Sequence, residues 1–87
     1  MSYPLQTPEQ LAILLKSFRK KRGYTQKAIA EKLGISQQTY QQIEAKPQNV
    51  TLERLFKVLR LLDVRVDLLD EMGSASKLVS DQGSEQW

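Results

Sequence analysis

The stretch TQKAIAEKLGISQQTYQQIEAK, residues 25–46, decides the fold of this chain. Thr25 and Ser36 are placed to cap the first turns of two short helices, and Gly34 between them can adopt the left-handed conformation of a tight turn. Pro47 prevents the second helix from continuing. The core shared by the two helices is expected from Ile29, Ala30, Leu33, Ile35, Tyr40 and Ile43, with the hydroxyl of Tyr40 reaching the surface. The stretch therefore predicts two helices joined by a short turn.

The second of these helices has an unusually glutamine-rich surface. Its four glutamines are Gln37, Gln38, Gln41 and Gln42. A glutamine-rich helix can simply be a solvated face. However, a short polar helix held on a preceding helix by a three- to four-residue turn has the geometry of a helix-turn-helix DNA reader, and Gln is a usual partner of adenine in the major groove. The preceding Ser36 cap favours the DNA-reading interpretation.

Composition limits the alternatives. With 87 residues, 40% of them hydrophobic, the chain is expected to form one small domain whose core gains from association with a second copy. There is no apolar run of membrane-spanning length, and the start of the chain does not resemble a signal peptide. The sequence contains no Cys and no His, which removes disulfides, thiolate metal sites and the commonest general base. We expect a cytoplasmic, nucleoid-associated protein that is not an enzyme and uses no cofactor.

Charge is distributed unevenly along the chain. Residues 1–60 contain 11 Lys/Arg and 4 Asp/Glu, a net charge of +7, whereas residues 61–87 contain 2 and 6, a net charge of −4. A basic body is typical of proteins that bind the phosphates of DNA, although it can also be only a solvated surface. The acidic end does not suit DNA and indicates a different task.

A helix is predicted on each side of the central pair. Thr7, Pro8 and Gln10 form a helix start with a capping box, the basic residues 19–22 suit a helix end, and Gly23 stops the helix. Its buried face is expected to contain Leu11, Leu14, Leu15 and Phe18. Thr51 caps a fourth helix that extends to about Leu62. Its inner stripe is predicted to be Leu52, Leu55, Phe56, Leu59 and Leu62, which leaves Val58 and Leu61 for contact with another subunit.

After Asp63 the apolar residues alternate, which predicts one strand over residues 64–69. A lone strand leaves its backbone groups unpaired, so we expect it to pair with its copy in a homodimer. The dimer contacts would be Val58, Leu61, Val64, Val66 and Leu68. The nearby acidic residues Asp63, Asp67, Asp70 and Glu71 suit an exposed strand edge better than a metal site.

The chain thus divides into a domain of residues 1–69 and an acidic tail of residues 70–87, which its polar composition predicts to be disordered. Trp87, the only tryptophan, is the last residue of that tail. It is there by chance or as an anchor for a pocket on another protein, since Trp is a preferred residue at the centre of interfaces.

Residues 11–62 resemble the Cro/C1-type family of helix-turn-helix regulators, an all-α fold of four to five helices like that of lambda repressor. The resemblance implies that Gln26 binds the DNA backbone, that Ser36, Gln37 and Gln38 read bases, and that Gln41 or Gln42 reads one turn further on. It also implies a structural ion pair between Arg19 and Glu44. For backbone contacts, positions near the ends of the two central helices add Lys27, Thr39, Lys46 and Asn49.

The whole chain resembles the HipB antitoxin family more closely, through its length, its single strand and its terminal Trp. That resemblance implies a homodimer that represses its own operon at palindromic operators and neutralises a HipA-type serine/threonine kinase toxin. Contact with the toxin would come from Ser84, Glu85, Gln86 and Trp87. A stand-alone Cro/C1-type regulator explains residues 1–69 but gives the tail no purpose. A protein-interaction module explains the tail but not the glutamine face.

Overall fold

The computed structural model describes residues 2–72, and the regular elements in this part of the chain are all helices. The elements are α1 (Pro8–Lys21), α2 (Gln26–Leu33), α3 (Gln37–Ala45) and α4 (Leu52–Leu61), with a short 3₁₀ turn at Pro47–Asn49 between α3 and α4. This is the all-α helix-turn-helix architecture that the sequence predicts. The 3₁₀ turn was not predicted. None of the helices in the described part of the chain is long and apolar enough to cross a membrane.

Each helix begins at the residue that the sequence indicates. The side chains of Thr7, Thr25, Ser36 and Thr51 accept hydrogen bonds from backbone N–H groups in the first turn of α1, α2, α3 and α4, respectively. Such caps satisfy donors that have no partner inside the helix. At the turn between α2 and α3, Gly34 has φ +73°, a conformation that glycine adopts without steric cost. The start and the sharp turn of the helix pair are therefore fixed locally.

The core lies where all four helices meet. Its fully or nearly fully buried apolar side chains are Leu15, Ile29, Ala30, Tyr40, Ile43, Val58, Leu59 and Leu62. Leu11, Phe18, Leu33 and Ile35 pack against this cluster and are partly buried. Ala30 is 2% exposed, which agrees with close approach of the helices at that position.

Helix α4 buries only part of the predicted inner stripe: Leu59 and Leu62 are in the core and Leu55 packs against it, but the buried side is rotated from the predicted one. Val58 is 0% exposed and belongs to the core, so it is not available to a second subunit within this fold. Conversely, Leu52 is 70% exposed and Phe56 is 46% exposed, although both were assigned to the inner stripe. The prediction was wrong because apolar residues surround most of α4, and periodicity alone cannot then identify its inner side.

The end of α4 is tied to α1 and then leads into an extended segment. Arg22 donates a hydrogen bond from Nε to the carbonyl of Leu62 at 2.9 Å. Asp63 adopts φ +59°, and the N–H of Val64 bonds the carbonyl of Leu59 at 2.9 Å, which closes the helix. Residues 64–70 form neither helix nor strand in the described single chain. The predicted tail lies mostly outside the described residues.

Candidate nucleic-acid interface

Helix α3 presents its glutamines to solvent. Gln37, Gln38, Gln41 and Gln42 are all exposed, and at 100° per residue they occupy an arc of about 140°. On the other side of α3, Tyr40, Ile43 and Glu44 are buried. The helix therefore offers a continuous polar face whose amides are free to hydrogen-bond a ligand.

Ser36 also has a structural task at the start of α3. Its Oγ accepts from the N–H of Thr39 at 3.0 Å and donates to Oγ1 of Thr39 at 2.8 Å. Ser36 and Thr39, both predicted to contact DNA, therefore hydrogen-bond each other. Ser36 remains exposed, while Thr39 is half-buried.

A buried carboxylate anchors α3 to the rest of the domain. Glu44 accepts from Nε and Nη2 of Arg19 at 2.7 and 3.2 Å, so the sequence-predicted pair is brought together in a two-pronged ion pair. Gln26 donates to Oε1 of Glu44 at 3.0 Å, and the hydroxyl of Tyr40 donates to Oε2 at 3.0 Å. Arg19 also donates to the carbonyl of Tyr24 at 2.9 Å. This anchor network, Arg19–Tyr24–Gln26–Tyr40–Glu44, links α1, the α1–α2 turn, the first residue of α2 and α3.

The ionisation of the network follows from its geometry. Burial raises the pKa of Glu44, but the hydrogen bonds from Arg19, Gln26 and Tyr40 outweigh burial, and the net pKa lies below the ordinary value. Burial, together with the negative charge of Glu44, raises the pKa of Tyr40. The carboxylate is therefore charged and the phenol neutral at physiological pH, which is the state that forms all four bonds to Glu44.

The network corrects the prediction for Tyr40 and gives Gln26 a contact within the protein that was not predicted. Tyr40 is 0% exposed and its hydroxyl points inward to Glu44, so the prediction that the hydroxyl reaches the surface was wrong. Gln26, predicted to bind the DNA backbone, uses its amide nitrogen on Glu44 and is only half-exposed. The carbonyl oxygen and second N–H of Gln26 stay available to a ligand. Sequence reasoning missed the Tyr40–Glu44 bond, although their i, i+4 spacing on one helix would permit it.

A cleft of about 440 Å³ lies beside α3, between its C-terminal half, the 3₁₀ turn and the start of α4. It is lined by Thr39, Gln42, Ile43, Ala45, Lys46, Asn49, Val50 and Arg54. Four residues predicted to contact DNA therefore share one surface. Thr39 and Gln42 belong to α3, whereas Lys46 and Asn49 follow the helix in sequence. Arg54 was not predicted, because nothing in its local sequence relates it to α3. Lys27 is exposed on α2 and does not line this cleft.

The other predicted site residues are placed as follows. Leu61 and Val64 are half-buried against the core, whereas Val66 and Leu68 are 45% and 94% exposed. The residues assigned to toxin binding, 84–87, lie outside the described part of the chain. Among residues 2–72, acidic side chains do not gather in any group of three that could hold a metal ion.

The fold and the polar α3 face define the chain as a member of the helix-turn-helix family, and that family matches residues 15–69. Within it, the chain belongs to the HipB antitoxins. It is 35% identical over 79 residues to antitoxin HipB of Escherichia coli, an alignment that covers 91% of this chain and 90% of that protein. A second Escherichia coli antitoxin HipB is 36% identical, with 93% of this chain and 85% of the relative covered.

Solved structures give the same relationship. A HipB–O1–O2 complex matches with a TM-score of 0.71 and 38% identity, covering 79% of this chain and all of that one. A HipA–HipB–O2–O3 complex matches with a TM-score of 0.71 and 37% identity, covering 80% of this chain and 99% of the other. The likeness thus extends over both sequence and fold.

Proposed function

We propose that this protein is a sequence-specific DNA-binding repressor that acts as an antitoxin, binding palindromic operators of its own operon as a homodimer. The observation that carries the proposal is the exposed glutamine face of α3, which lies beside a cleft with two cationic side chains. Gln37, Gln38, Gln41 and Gln42 are assigned to base readout, with Ser36 at the start of the helix. Gln26, Lys27, Thr39, Lys46 and Asn49 are assigned to the DNA backbone, which positions the protein without reading sequence.

The rigidity of α3 supports this function. Because the anchor network holds α3 from its inner side, its outer face is preorganised for binding, and less ordering has to be paid for when DNA binds. The HipB chains of the HipB–O1–O2 and HipA–HipB–O2–O3 complexes share this fold with the present chain at 37–38% identity.

The DNA-binding proposal is tested by a gel-shift titration with the DNA upstream of the protein's own gene. We expect a specific complex that survives an excess of unrelated duplex, and a footprint with two-fold symmetry. Binding that is equally strong to any duplex of the same length would contradict sequence-specific repression.

Dimer formation is proposed to use the segment of residues 64–69. In the described chain the backbone of residues 65–69 forms no backbone–backbone hydrogen bond, and Val66 and Leu68 are exposed on one side. Arg65 and Asp67, two residues apart, meet at 2.9 Å on the other side, as expected of an extended chain. Pairing with a second copy would satisfy the backbone groups and cover the apolar side chains.

Analytical ultracentrifugation at micromolar concentration tests the dimer. We expect the unmodified protein to sediment as a dimer and Leu68→Lys to sediment as a monomer. Asp67→Lys changes the charge on the opposite side of the same segment and serves as the control that stays dimeric. A monomeric unmodified protein would contradict the proposal.

The antitoxin role adds a HipA-type kinase toxin as partner, by relationship to the HipB antitoxins and to the solved HipA–HipB–O2–O3 complex. Within the sequence, Ser84, Glu85, Gln86 and Trp87 are assigned to this contact. Co-expression with the kinase tests it: the full chain should co-purify with the kinase and suppress its activity, and a chain ending at residue 83 should do so more weakly. If the kinase is neither bound nor inhibited, the stand-alone regulator is the better description.

A further inference from the structure

The cleft beside α3 brings Lys46, which is assigned to the DNA backbone, together with Arg54, which has no assigned role. Lys46 follows the last residue of α3, and Arg54 lies in the first turn of α4, so two cations from different helices line one concave surface. The remaining lining residues are neutral, and three of them, Thr39, Gln42 and Asn49, have polar side chains that can donate a hydrogen bond.

These cations are free to bind an external anion. Among residues 2–72, salt bridges join only Arg19 with Glu44 and Arg65 with Asp67, so neither Lys46 nor Arg54 has a carboxylate partner there. Glu44 is close to Lys46 in sequence, but it points inward and its oxygens are occupied by the anchor network. The start of α4 contributes a further positive potential, since its helix dipole favours negative charge at that end.

The position of the cleft identifies the anion. Gln42 belongs both to the exposed face of α3 and to the cleft wall, so a ligand in the cleft is continuous with the surface on which bases would be read. A phosphate of the DNA backbone, next to a groove occupied by α3, has the required charge and location. Arg suits such a site because its planar group can give two parallel hydrogen bonds to phosphate oxygens.

We propose that Lys46 and Arg54 together clamp one backbone phosphate in each half-site and thereby fix the register of α3 on the bases. The clamp rests on the proposed DNA-binding function and adds Arg54 to it as a positioning residue. Two cations on one phosphate act as a unit, which distinguishes a clamp from two independent contacts.

Salt dependence tests the clamp. The slope of log K against log salt concentration changes by about 0.9 for each phosphate neutralised. A dimer with one clamped phosphate per subunit should therefore lose about 1.8 from the magnitude of its slope in the double variant Lys46→Gln/Arg54→Gln. Arg54→Gln alone should weaken binding to every operator but keep most of the slope, because Lys46 still neutralises the shared phosphate. Two separate phosphates would instead give a loss of about 3.6 in the double variant.

Lys57→Gln is the matched control, since it removes one exposed cation from α4, one turn further along and outside the cleft. Its affinity for operators and its slope should both stay close to those of the unmodified protein. The clamp is overturned if Arg54→Gln binds operators as tightly as Lys57→Gln does, or if the double variant loses about 3.6 from the magnitude of its slope. Failure of the unmodified protein to bind any operator would refute the proposed function instead. Thermal unfolding of each variant checks that folding is intact, because substitutions at these exposed positions should leave the midpoint nearly unchanged.

Discussion

Replacing Glu44 with Gln is the most direct perturbation of the anchor network. Gln has nearly the same shape, but it removes the charge and converts one of the two acceptor oxygens into a donor amide. Glu44 accepts four hydrogen bonds. Within residues 2–72 it is the only carboxylate partner of Arg19, whose side chain is only 9% exposed. The substitution therefore leaves a buried guanidinium without its counter-charge.

The expected cost follows from that geometry. Removing one member of a buried ion pair destabilises a protein by about 3–5 kcal/mol. For a domain of this size each kcal/mol corresponds to roughly 4–8 °C in the midpoint of thermal unfolding. Glu44→Gln should thus lower the midpoint by at least about 12 °C. Glu31→Gln makes the same chemical change at an exposed position of α2 and should have an effect within about 0.5 kcal/mol.

A double-mutant cycle separates the ion pair from the rest of the network. In Arg19→Met/Glu44→Gln both charges are absent, so the double variant should be more stable than the sum of the single effects predicts, by about 1–3 kcal/mol. Urea unfolding at constant protein concentration measures all four species. A cost of Glu44→Gln below about 1 kcal/mol, the range of exposed pairs, would refute the reasoning.

The stability of the fold at acidic pH gives an independent measurement of the contribution of the Glu44 carboxylate. The pKa of Glu44 is lower in the folded chain than in the unfolded chain, so its contribution to stability is complete above the unfolded-state value, about 4.3. That contribution is lost as the pH falls from there through the lower pKa of the folded state. Stability should therefore fall less steeply below about pH 4.3 in Glu44→Gln than in the unmodified protein. Equal slopes would show that Glu44 is not preferentially ionised in the folded chain.

Three further substitutions have defined outcomes. Asp63→Gly should stabilise the fold by about 1 kcal/mol, because Asp63 has φ +59° and glycine adopts this conformation without strain. Thermal unfolding would then show a raised midpoint. Leu62→Ala should cost about 2–5 kcal/mol in urea unfolding, since Leu62 is 0% exposed in the core, and a loss under 1 kcal/mol would contradict that placement. Gln37→Ala should remove about 1–3 kcal/mol of preference at one operator position and leave the salt slope unchanged, as measured by competition gel shifts with single-base variants.

Sequence reasoning succeeded where structure is decided locally. A capping residue acts on the turn that follows it, and Gly34 determines its own turn, so the four helix starts and the joint between α2 and α3 could all be predicted. The glutamine face of α3 was predictable for the same reason, because one helix places those residues side by side.

Sequence reasoning failed where the surroundings of a residue depend on an element that is distant in the sequence. The inner side of α4 is decided by how the chain returns from the 3₁₀ turn and by the bond from Arg22 to the carbonyl of Leu62, 40 residues away. The cleft likewise joins the end of α3 to Arg54 on α4, and no local pattern relates them. The inward hydroxyl of Tyr40 depends on an Arg19–Glu44 pair formed across 25 residues.

Two opposite charges with separate tasks lie at the C-terminal end of α3. Glu44 is in the last turn of the helix, and Lys46 follows its last residue with a non-helical backbone, φ −136° and ψ 73°. Glu44 is buried and fixes the rotation of α3 through directional hydrogen bonds, which apolar packing alone would specify less sharply. Lys46 faces the cleft, where a phosphate would be held. Loss of Glu44 should therefore lower the stability of the fold, whereas loss of Lys46 should weaken operator binding and leave stability unchanged, and the two effects can be measured apart.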